Sequence, residues 1–434
     1  MSNLKRKRGG EPISGWRSWY SLLLLCGLYT LNSIDRNVAS ITAEALKREF
    51  GLSDTELGAM VGLAYALPFA LGGVAVGAVV ERTHRGRLIA GLLAIWSALT
   101  FVSGLTSSFA QLVCARIGVA ASEAGASPTA MSLIMDLFPK NRRSRALSVY
   151  YFSTPVGLFV GFALGGLVLA QFGWRAAFFV AGAPGLLLAL VILATFKEPP
   201  LGAYAEAADL EAAAQKSRLR EALQALWTRK TLLYLLLAAM IQTTAQSAVG
   251  AFLAPFFIRI AHVPVREAGL WVSVALGLGA AVGMLIGGVM GDVLAKRSPG
   301  LSIGVVGFAM IGAGGCALMA FASAEALSIV AWAGVFSVLL ALYYGPTYAT
   351  YMSLAPLAHR GALGALIVVL NSLVGYGLGP PLVGALSDLI ARQGIAESLR
   401  WALSAVVCLY FVAALFFLAA SRTAGRDAKA AAAG

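Results

Sequence analysis

The chain has 434 residues, of which 59% are hydrophobic and only 12% are charged, whereas soluble domains carry about 25% charged residues. Its apolar runs lack the alternation of polar and apolar residues that the strands of an outer-membrane barrel require. The composition excludes a soluble protein and a barrel and predicts membrane-spanning helices. In a soluble protein the net charge of +13 would suggest a nucleic-acid partner, but basic cytoplasmic loops explain it here.

Charged and turn-forming clusters divide the chain into twelve apolar stretches that could each span a bilayer, which takes about 20 residues. Six precede and six follow the longest polar segment, residues 197–230, which we interpret as a cytoplasmic linker. The stretches are 18–43, 57–80, 88–106, 109–135, 146–170, 175–196, 231–258, 267–294, 301–322, 327–355, 363–390 and 399–421. We predict an all-α polytopic membrane protein with two six-helix bundles, at residues 18–196 and 231–421, between cytoplasmic tails at 1–17 and 422–434.

The distribution of lysine and arginine among the loops predicts the orientation of the chain in the membrane. With both termini cytoplasmic, 24 of the 33 basic side chains lie in inner loops and tails, as the positive-inside rule requires. The first span is too long for a signal-peptide core and has no cleavage site after it, so we expect it to be retained. The predicted location is the bacterial plasma (inner) membrane. The four cysteines show neither disulfide nor metal-ligand spacing, and we predict no metal or cofactor.

Four charged side chains lie inside predicted spans: Asp35 and Arg36 in the first, Arg116 and Glu123 in the fourth. Charges within a bilayer are costly and usually face a bundle interior or a water-filled path. Asp35 and Arg116 lie about 12 Å and about 10 Å from the outer ends of their helices, so we predict that they pair. A transport site is one interpretation, and structural ion pairs between two helices are the other.

Glu123 follows Arg116 by seven residues on nearly the same helix face, about 10 Å deeper, where the sequence offers no obvious partner. Because burial without a cation favours the neutral form of a carboxyl, Glu123 and Asp35 are the candidates for proton coupling. Arg36 and Arg116 are the candidates for charge pairing and substrate contact, since a guanidinium suits a carboxylate or phosphate. The alternatives are a Glu123 bonded to backbone and an Arg36 that makes a helix contact.

The second half has no charge within its predicted membrane interior and offers uncharged polar groups instead. These groups could line a cavity, or they could bond across helices as polar membrane residues often do. One charged wall and one neutral wall would suit an amphipathic solute with an ionic head. The candidate cavity residues are Asn32 in the first half, and Gln242, Thr243, Gln246, Asn371 and Tyr376 in the second.

An internal repeat supports two related halves. The second predicted span ends in GAVVERTHRGR, from Gly77, and the eighth ends in GVMGDVLAKR, from Gly288. In each segment a glycine precedes an acid, Glu81 or Asp292, by four residues, and basic residues follow. Equivalent segments six spans apart are what a duplicated six-helix unit would leave.

With these motifs the chain resembles the major facilitator superfamily over essentially its full length. The segment after the second span is similar to the family's loop, although His84 stands where a glycine is usual. The resemblance implies two pseudo-symmetric bundles and a cytoplasmic gate formed by this loop and neighbouring helix ends. The gate candidates are Gly77, Glu81, Arg82, Arg85, Asp136 and Asp292.

Within that superfamily the chain most resembles the spinster-like transporters. The matching segments are IDRN at Asp35, the Arg116 to Glu123 stretch, DLFPKNRRSRAL, PVGLFVGFALGG, FGWRAAFFVAGAPGLL and EPP, with LGPPLVGALSD in the second half. The resemblance implies passage of lysolipids or sphingoid phosphates, coupled to protons or another cation. Organic-anion symporters of the superfamily share the Asp-Arg and Glu-Ala-Gly-x-x-Pro motifs, so these motifs alone do not separate lipids from sugar acids.

We therefore predict a secondary transporter that moves an amphipathic anion, similar to a lysophospholipid or a sphingoid phosphate, by alternating access with proton coupling. The alternatives are a proton-coupled symporter of small organic anions such as sugar acids, and a drug or metabolite efflux pump. The expected partners are a small-molecule or lipid substrate, protons and membrane lipids, without nucleic acid, and the chain is expected to be monomeric. We expect no enzymatic activity, because the spans contain no metal-ligand cluster. A sensor is disfavoured because the longest loop is too short for a soluble domain.

Overall fold

The computed structural model of the protein describes residues 15–77, 80, 83–204, 226–354 and 360–433. Within these ranges the chain is helical and contains no strand. Nine of the helices in this part of the chain are long and apolar enough to cross a membrane. The prediction of an all-helical, polytopic membrane protein is confirmed, while the count of twelve spans and the cytoplasmic termini stay predictions.

The chain forms two compact units, and the first comprises Met1–Ala45 and Ala64–Ala214. Glycines interrupt its helices: Gly173, with a φ of 79°, breaks the longest helix, in a backbone region that glycine enters without steric cost. The helices that begin in or belong to this unit are α1 (Gly15–Phe50), α3 (Leu63–Gly77), α4 (Arg85–Ser103), α5 (Phe109–Glu123), α6 (Ala126–Leu137) and α7 (Lys140–Thr195).

The second unit comprises Leu46–Leu63 and Gln215–Gly434. The end of α1 and the short helix α2 (Asp54–Val61) thus group with the second half of the chain. Its other helices are α8 (Lys230–Arg259), α9 (Val265–Val272), α10 (Gly279–Arg297), α11 (Pro299–Ala322), α12 (Ala326–Ala341), α13 (Tyr344–Leu354), α14 (Arg360–Leu370), α15 (Gly377–Arg392), α16 (Ser398–Val407) and α17 (Leu409–Ala433). Two π-helical segments, Ser273–Leu278 and Asn371–Tyr376, continue α9 into α10 and α14 into α15.

Within the first unit, α1 and α7 cross closely because glycines on α7 recur every four residues. A Cβ atom added at Gly157 would lie 2.5 Å from the carbonyl oxygen of Thr30, and one at Gly161 would lie 3.2 Å from the Cα of Ile34. Gly165 continues the same stripe along α7. Small residues at this period let helix backbones approach in a membrane. The crossing fixes the position of α1 just before its charged residues.

Candidate functional site

Asp35 of α1 and Arg116 of α5 form a buried ion pair. Their side chains are 3% and 4% exposed, and Arg116 Nη1 lies 3.0 Å from Asp35 Oδ2. The hydroxyl of Thr100, on α4, donates a hydrogen bond of 2.5 Å to Asp35 Oδ1. A buried charge pair is tolerated when further hydrogen bonds satisfy its polar atoms. The pair therefore ties three helices together at one depth.

Glu123, two turns further along α5, is completely buried and does have a cation beside it. Arg36 Nε lies 3.6 Å from Glu123 Oε2, which is within ion-pair range but longer than an N–H···O hydrogen bond. The hydroxyl of Tyr65, on α3, donates a short hydrogen bond to the same oxygen. Glu123 Oε1 accepts no hydrogen bond from the described residues. The expectation that Glu123 lacks a partner inside the membrane is wrong, because Arg36 projects toward it from α1.

Arg36 is the most accessible of the four charges, with 32% of its side chain exposed. Its guanidinium carbon lies 4.8 Å and 4.9 Å from the ring centroids of Tyr65 and Phe69. These two rings stack on each other, 5.6 Å apart. Cation–π contacts of this kind hold a guanidinium in place without hydrogen-bonding all of its N–H groups. The rings of Tyr65 and Phe69 therefore hold the Arg36 guanidinium in position beside Glu123.

The four charges and Tyr65 form one network. The carboxyl groups of Asp35 and Glu123 interact electrostatically, so the two ion pairs are not independent. Two acids and two arginines balance each other formally, so both carboxyls are ionised at low cost only while each arginine stays beside its acid. Such a cluster can hold an exchangeable proton and present a cation to an anion.

A second charged cluster in the first unit surrounds Arg85 at the start of α4. Arg85 is buried, and its Nη1 and Nε atoms contact Asp136 at 2.6 Å and Glu198 at 3.2 Å. Its Nη2 donates to the carbonyl of Pro199 at 2.9 Å, and His84 contacts the Glu198 carboxylate. Sequence reasoning named Asp136 as a partner but missed Glu198, although an acid in EPP directly after a predicted span was a usable signal.

The other gate candidates are placed as follows. Gly77 is the last residue of α3, and Asp292 lies within α10. Glu81 and Arg82 lie outside the described residues. The gate role of this group stays a prediction.

Three of the candidate cavity residues of the second unit are hydrogen-bonded to one another, and two lie in a π-helical segment. Gln242 is buried on α8 and donates to Gln246 at 2.9 Å, while Thr243 donates to Gln242 at 3.3 Å. Asn371 begins a π-helical segment, and its buried Oδ1 accepts no hydrogen bond from the described part of the chain. Tyr376 ends that segment and is exposed. Asn32, in the first unit, is buried on α1.

One cluster of charged residues in the second unit surrounds Asp54, at the start of α2. Lys47 Nζ and Arg259 Nη1 lie 2.6 Å and 2.8 Å from Asp54 Oδ1. The hydroxyl of Ser387 donates to Asp54 Oδ2 at 2.7 Å. Asp388 accepts from the backbone N–H groups of Asp54 and of its neighbour at 3.1 Å and 2.9 Å. Sequence reasoning missed this cluster, because its members come from segments that are far apart in the sequence.

No group of three His, Cys, Asp or Glu residues that could hold a metal ion is found in the described ranges.

Buried charges inside membrane-spanning helices are typical of membrane transporters, so transporters are the class of protein to compare. Residues 25–380 match the sequence pattern of the Major Facilitator Superfamily. Because the match covers most of the chain, the chain belongs to this superfamily.

Relatives refine this assignment. The chain is 29% identical over 413 residues to an MFS-type efflux pump of Mycolicibacterium smegmatis, covering 95% of this chain and 94% of that protein. It is 30% identical over 213 residues to protein spinster homolog 1 of Homo sapiens, covering 48% of this chain and 40% of that protein. It is 29% identical over 171 residues to a probable L-galactonate transporter of Escherichia coli, covering 39% and 37%.

A solved structure is similar over nearly the whole chain. It is the inward-facing, unoccupied form of a bacterial homologue of the human lysosomal transporter spinster, with a TM-score of 0.85 and 27% identity. The match covers 96% of this chain and 99% of that one. The chain is thus a spinster-like, multi-pass membrane transporter of the superfamily, and the resemblance noted in the sequence is confirmed.

Proposed function

We propose that the protein carries an amphipathic organic anion across the membrane by alternating access, coupled to protons. The observation that carries this proposal is the position of Arg36, which lies beside buried Glu123 and is the most accessible of the four charged residues. Its side chain is 32% exposed and forms a long ion pair with Glu123, whereas the other arginine of the cluster, Arg116, is 4% exposed.

The coupling follows from a competition for Arg36. An anionic head group that binds the guanidinium draws it away from Glu123. Among the described residues, the buried carboxylate then keeps Tyr65 as its hydrogen-bond donor. Protonation removes that uncompensated charge, and a protonated Glu123 can donate to the neighbouring carboxyl of Asp35. Anion binding then favours proton binding, and by linkage the reverse holds equally. Both ligands would move in the same direction.

Asp35 and Arg116 have a supporting role in this scheme. Both are almost fully buried and contact each other through two N–H···O distances of 3.0 Å and 3.1 Å. Removing one partner of such a pair leaves an uncompensated charge. We therefore propose that the pair holds α1 in position, so that Arg36 stays beside Glu123. Asp35 is proposed as the secondary proton acceptor.

The scheme makes Glu123→Gln the decisive variant. In vesicles, it should abolish uptake driven by a pH gradient and retain counterflow exchange, because the amide cannot titrate but still occupies the site. Asn37→Ala, on α1 beside Arg36, is the control for a polar change that leaves the four charges in place, because the Asn37 amide donates to the Ser33 carbonyl instead. Normal gradient-driven uptake by the glutamine variant would refute the coupling scheme.

A small sugar acid is the second candidate substrate. The similarity to a probable L-galactonate transporter favours it, and the polar groups at Gln242, Gln246 and Asn371 could bind hydroxyls. Binding of L-galactonate and of a lysophospholipid to the purified protein should separate the two. Stabilisation against heat follows the true ligand by mass action.

We also propose that the Arg85 cluster is part of a cytoplasmic gate. The buried guanidinium joins the start of α4 to the end of α6 through Asp136, and to the segment after α7 through Glu198. Gly77, Glu81, Arg82 and Asp292 belong to the same proposed gate. A monomer that contacts membrane lipids is the proposed assembly.

A further inference from the structure

One face of α17 changes from apolar to basic along a single continuous helix, which runs well past the end of its predicted span. Within the span, Val412 and Leu415 are 41% and 67% exposed on this face. Beyond the span, Arg422, Arg426 and Lys429 are exposed, at seven, eleven and fourteen residues from Leu415. Such spacings return to the same side of a helix. The three cations, which we call the basic stripe, therefore continue the exposed apolar face.

The other sides of α17 are packed within the second unit. Ala413, Phe417 and Ala424 are completely buried on the opposite side of the helix. On one flank α11 lies so close that a Cβ atom added at Gly300 would be 2.5 Å from the carbonyl oxygen of Ser421. An exposed apolar face on a membrane-spanning helix contacts lipid tails. The basic stripe thus follows the lipid-facing side of α17.

Contacts to the start of α8 place this part of α17 at the membrane surface. Asp427, next to Arg426, accepts a hydrogen bond of 2.9 Å from the backbone N–H of Thr231, and the hydroxyl of Thr423 lies 2.7 Å from that of Thr231. Thr231 is the first residue of a predicted span, so this turn lies at the edge of the apolar layer. Trp227, four residues earlier, is 73% exposed, and tryptophan is enriched at membrane–water interfaces.

The basic stripe has the dimensions of a lipid head-group layer. From Arg422 to Lys429 it extends about 10 Å along the helix, and the polar layer on one side of a bilayer is about 5–8 Å thick. Arg426 Nε lies 3.7 Å from Asp427 Oδ1, yet the Arg426 side chain stays 68% exposed. The membrane orientation of the chain requires cations at this end of the helix, but not on its lipid-facing side.

We propose that the basic stripe binds the head groups of anionic phospholipids in the leaflet at this end of α17, which is the cytoplasmic one in the predicted orientation. Arg422 and Arg426 are one turn apart, so one phosphate can contact both guanidinium groups. The acyl chains of the same lipid would lie along the apolar part of the face, at Leu415 and Val412. This inference is independent of the transported substrate and of proton coupling.

The first test is lipid preference. The purified full-length protein is titrated in neutral detergent with phosphatidylglycerol or with phosphatidylcholine of identical acyl chains, and bound lipids are counted by native mass spectrometry. The first phosphatidylglycerol should bind at least tenfold more tightly than the first phosphatidylcholine. Equal affinities would overturn the proposal and would assign the basic stripe to another acidic partner.

Neutralising the stripe should remove this preference. Each cation near an anionic lipid surface contributes about fivefold in affinity. The triple variant Arg422→Gln/Arg426→Gln/Lys429→Gln should therefore bind phosphatidylglycerol at least tenfold more weakly and phosphatidylcholine unchanged. An unchanged preference in this variant would refute the inference.

The matched control removes three exposed cations from the start of α7, on the same predicted side of the membrane. Its affinity for phosphatidylglycerol should stay within twofold of the native value. The control variant is Lys140→Gln/Arg142→Gln/Arg145→Gln. If the two triple variants lose affinity equally, net charge rather than the stripe attracts the lipid, and the proposal fails.

A measurement with the stripe intact locates the lipid. Gly425 is exposed, and a Cβ atom added there would meet nothing within 4 Å. With the four native cysteines replaced by serine, Gly425→Cys is labelled with bimane in nanodiscs of phosphatidylcholine. Phosphatidylglycerol that carries a nitroxide near its head group should quench the label at least twice as strongly as phosphatidylcholine with the same nitroxide. Equal quenching would place the anionic lipid elsewhere and contradict the assignment.

Discussion

The two units differ in where they place buried charge. In the first, Asp35, Arg116 and Glu123 lie within the helices, with Arg36 beside them. In the second, the buried acids are Asp54, at the start of a helix, and Asp427, in the predicted C-terminal tail, while polar side chains such as Gln242 are uncharged. Charged residues inside a membrane are costly and usually mark functional sites. We therefore expect the proposed proton coupling to use residues of the first unit.

The largest expected effect on stability comes from Arg116→Ala. It leaves Asp35 buried and unpaired, and loss of one partner of a buried pair costs about 3–5 kcal/mol. The apparent Tm of the purified protein should fall sharply. The double variant Asp35→Leu/Arg116→Leu removes both charges and should recover most of the loss. If the double variant is no more stable than the single one, the pair is not the cause.

Asp54→Asn tests whether the charge cluster of the second unit contributes as much to stability as the ion pair of Asp35 and Arg116. It weakens contacts to Lys47 and Arg259, whose side chains are 28% and 18% exposed. We expect a loss of about 2 kcal/mol, in the range for hydrogen bonds to charged groups. Combined with Arg116→Ala, the losses should add, because the two sites share no partner. Clear non-additivity would show that the two clusters are coupled.

Gln242→Leu probes the neutral interior of the second unit. It removes hydrogen bonds to Gln246 and Thr243, so we expect a loss of about 1 kcal/mol. Coupling of uptake to a pH gradient should persist, in contrast to Glu123→Gln. Thermal unfolding and vesicle uptake measure the two quantities. Loss of coupling in Gln242→Leu would place part of the proton path in the second unit.

Tyr65→Phe should have the smallest effect on ligand binding, although loss of a hydrogen bond to a carboxylate should lower stability by about 1.5–3 kcal/mol. It deletes the hydroxyl that donates to Glu123 but keeps the ring beneath the Arg36 guanidinium. Binding of dodecyl phosphate should therefore stay within threefold of the native value. Phe69→Tyr is the reciprocal control, since it adds a hydroxyl to the neighbouring ring. A tenfold loss of binding in Tyr65→Phe would mean that the hydroxyl contacts the ligand.

The fold class and one ion pair could be read from the sequence. Helical spans follow from apolar length, and Asp35 and Arg116 were expected at one level because depth along a helix follows from a fixed rise. The contact between Arg36 and Glu123 could not be found that way. It depends on how α1 and α5 are rotated about their axes, which packing decides.

Other features depended equally on packing. Tyr65 and Phe69 share a helix face by their spacing of four, but nothing in the sequence aims that face at Arg36. The same holds for Glu198, whose place beside Arg85 requires the segment after α7 to return to α4. The close crossing of α1 and α7 depends on Gly157 lying against Thr30, and such a pairing of two helices has no local signature.

The formal balance of two acids and two arginines in the first unit has an electrical consequence. Each elementary charge that crosses the membrane field contributes about 2.3 kcal/mol per 100 mV. A site that is neutral when empty, and that takes up one monovalent anion with one proton, moves no net charge in either state. We therefore expect uptake to respond to an imposed pH difference and to ignore a potassium diffusion potential set with an ionophore.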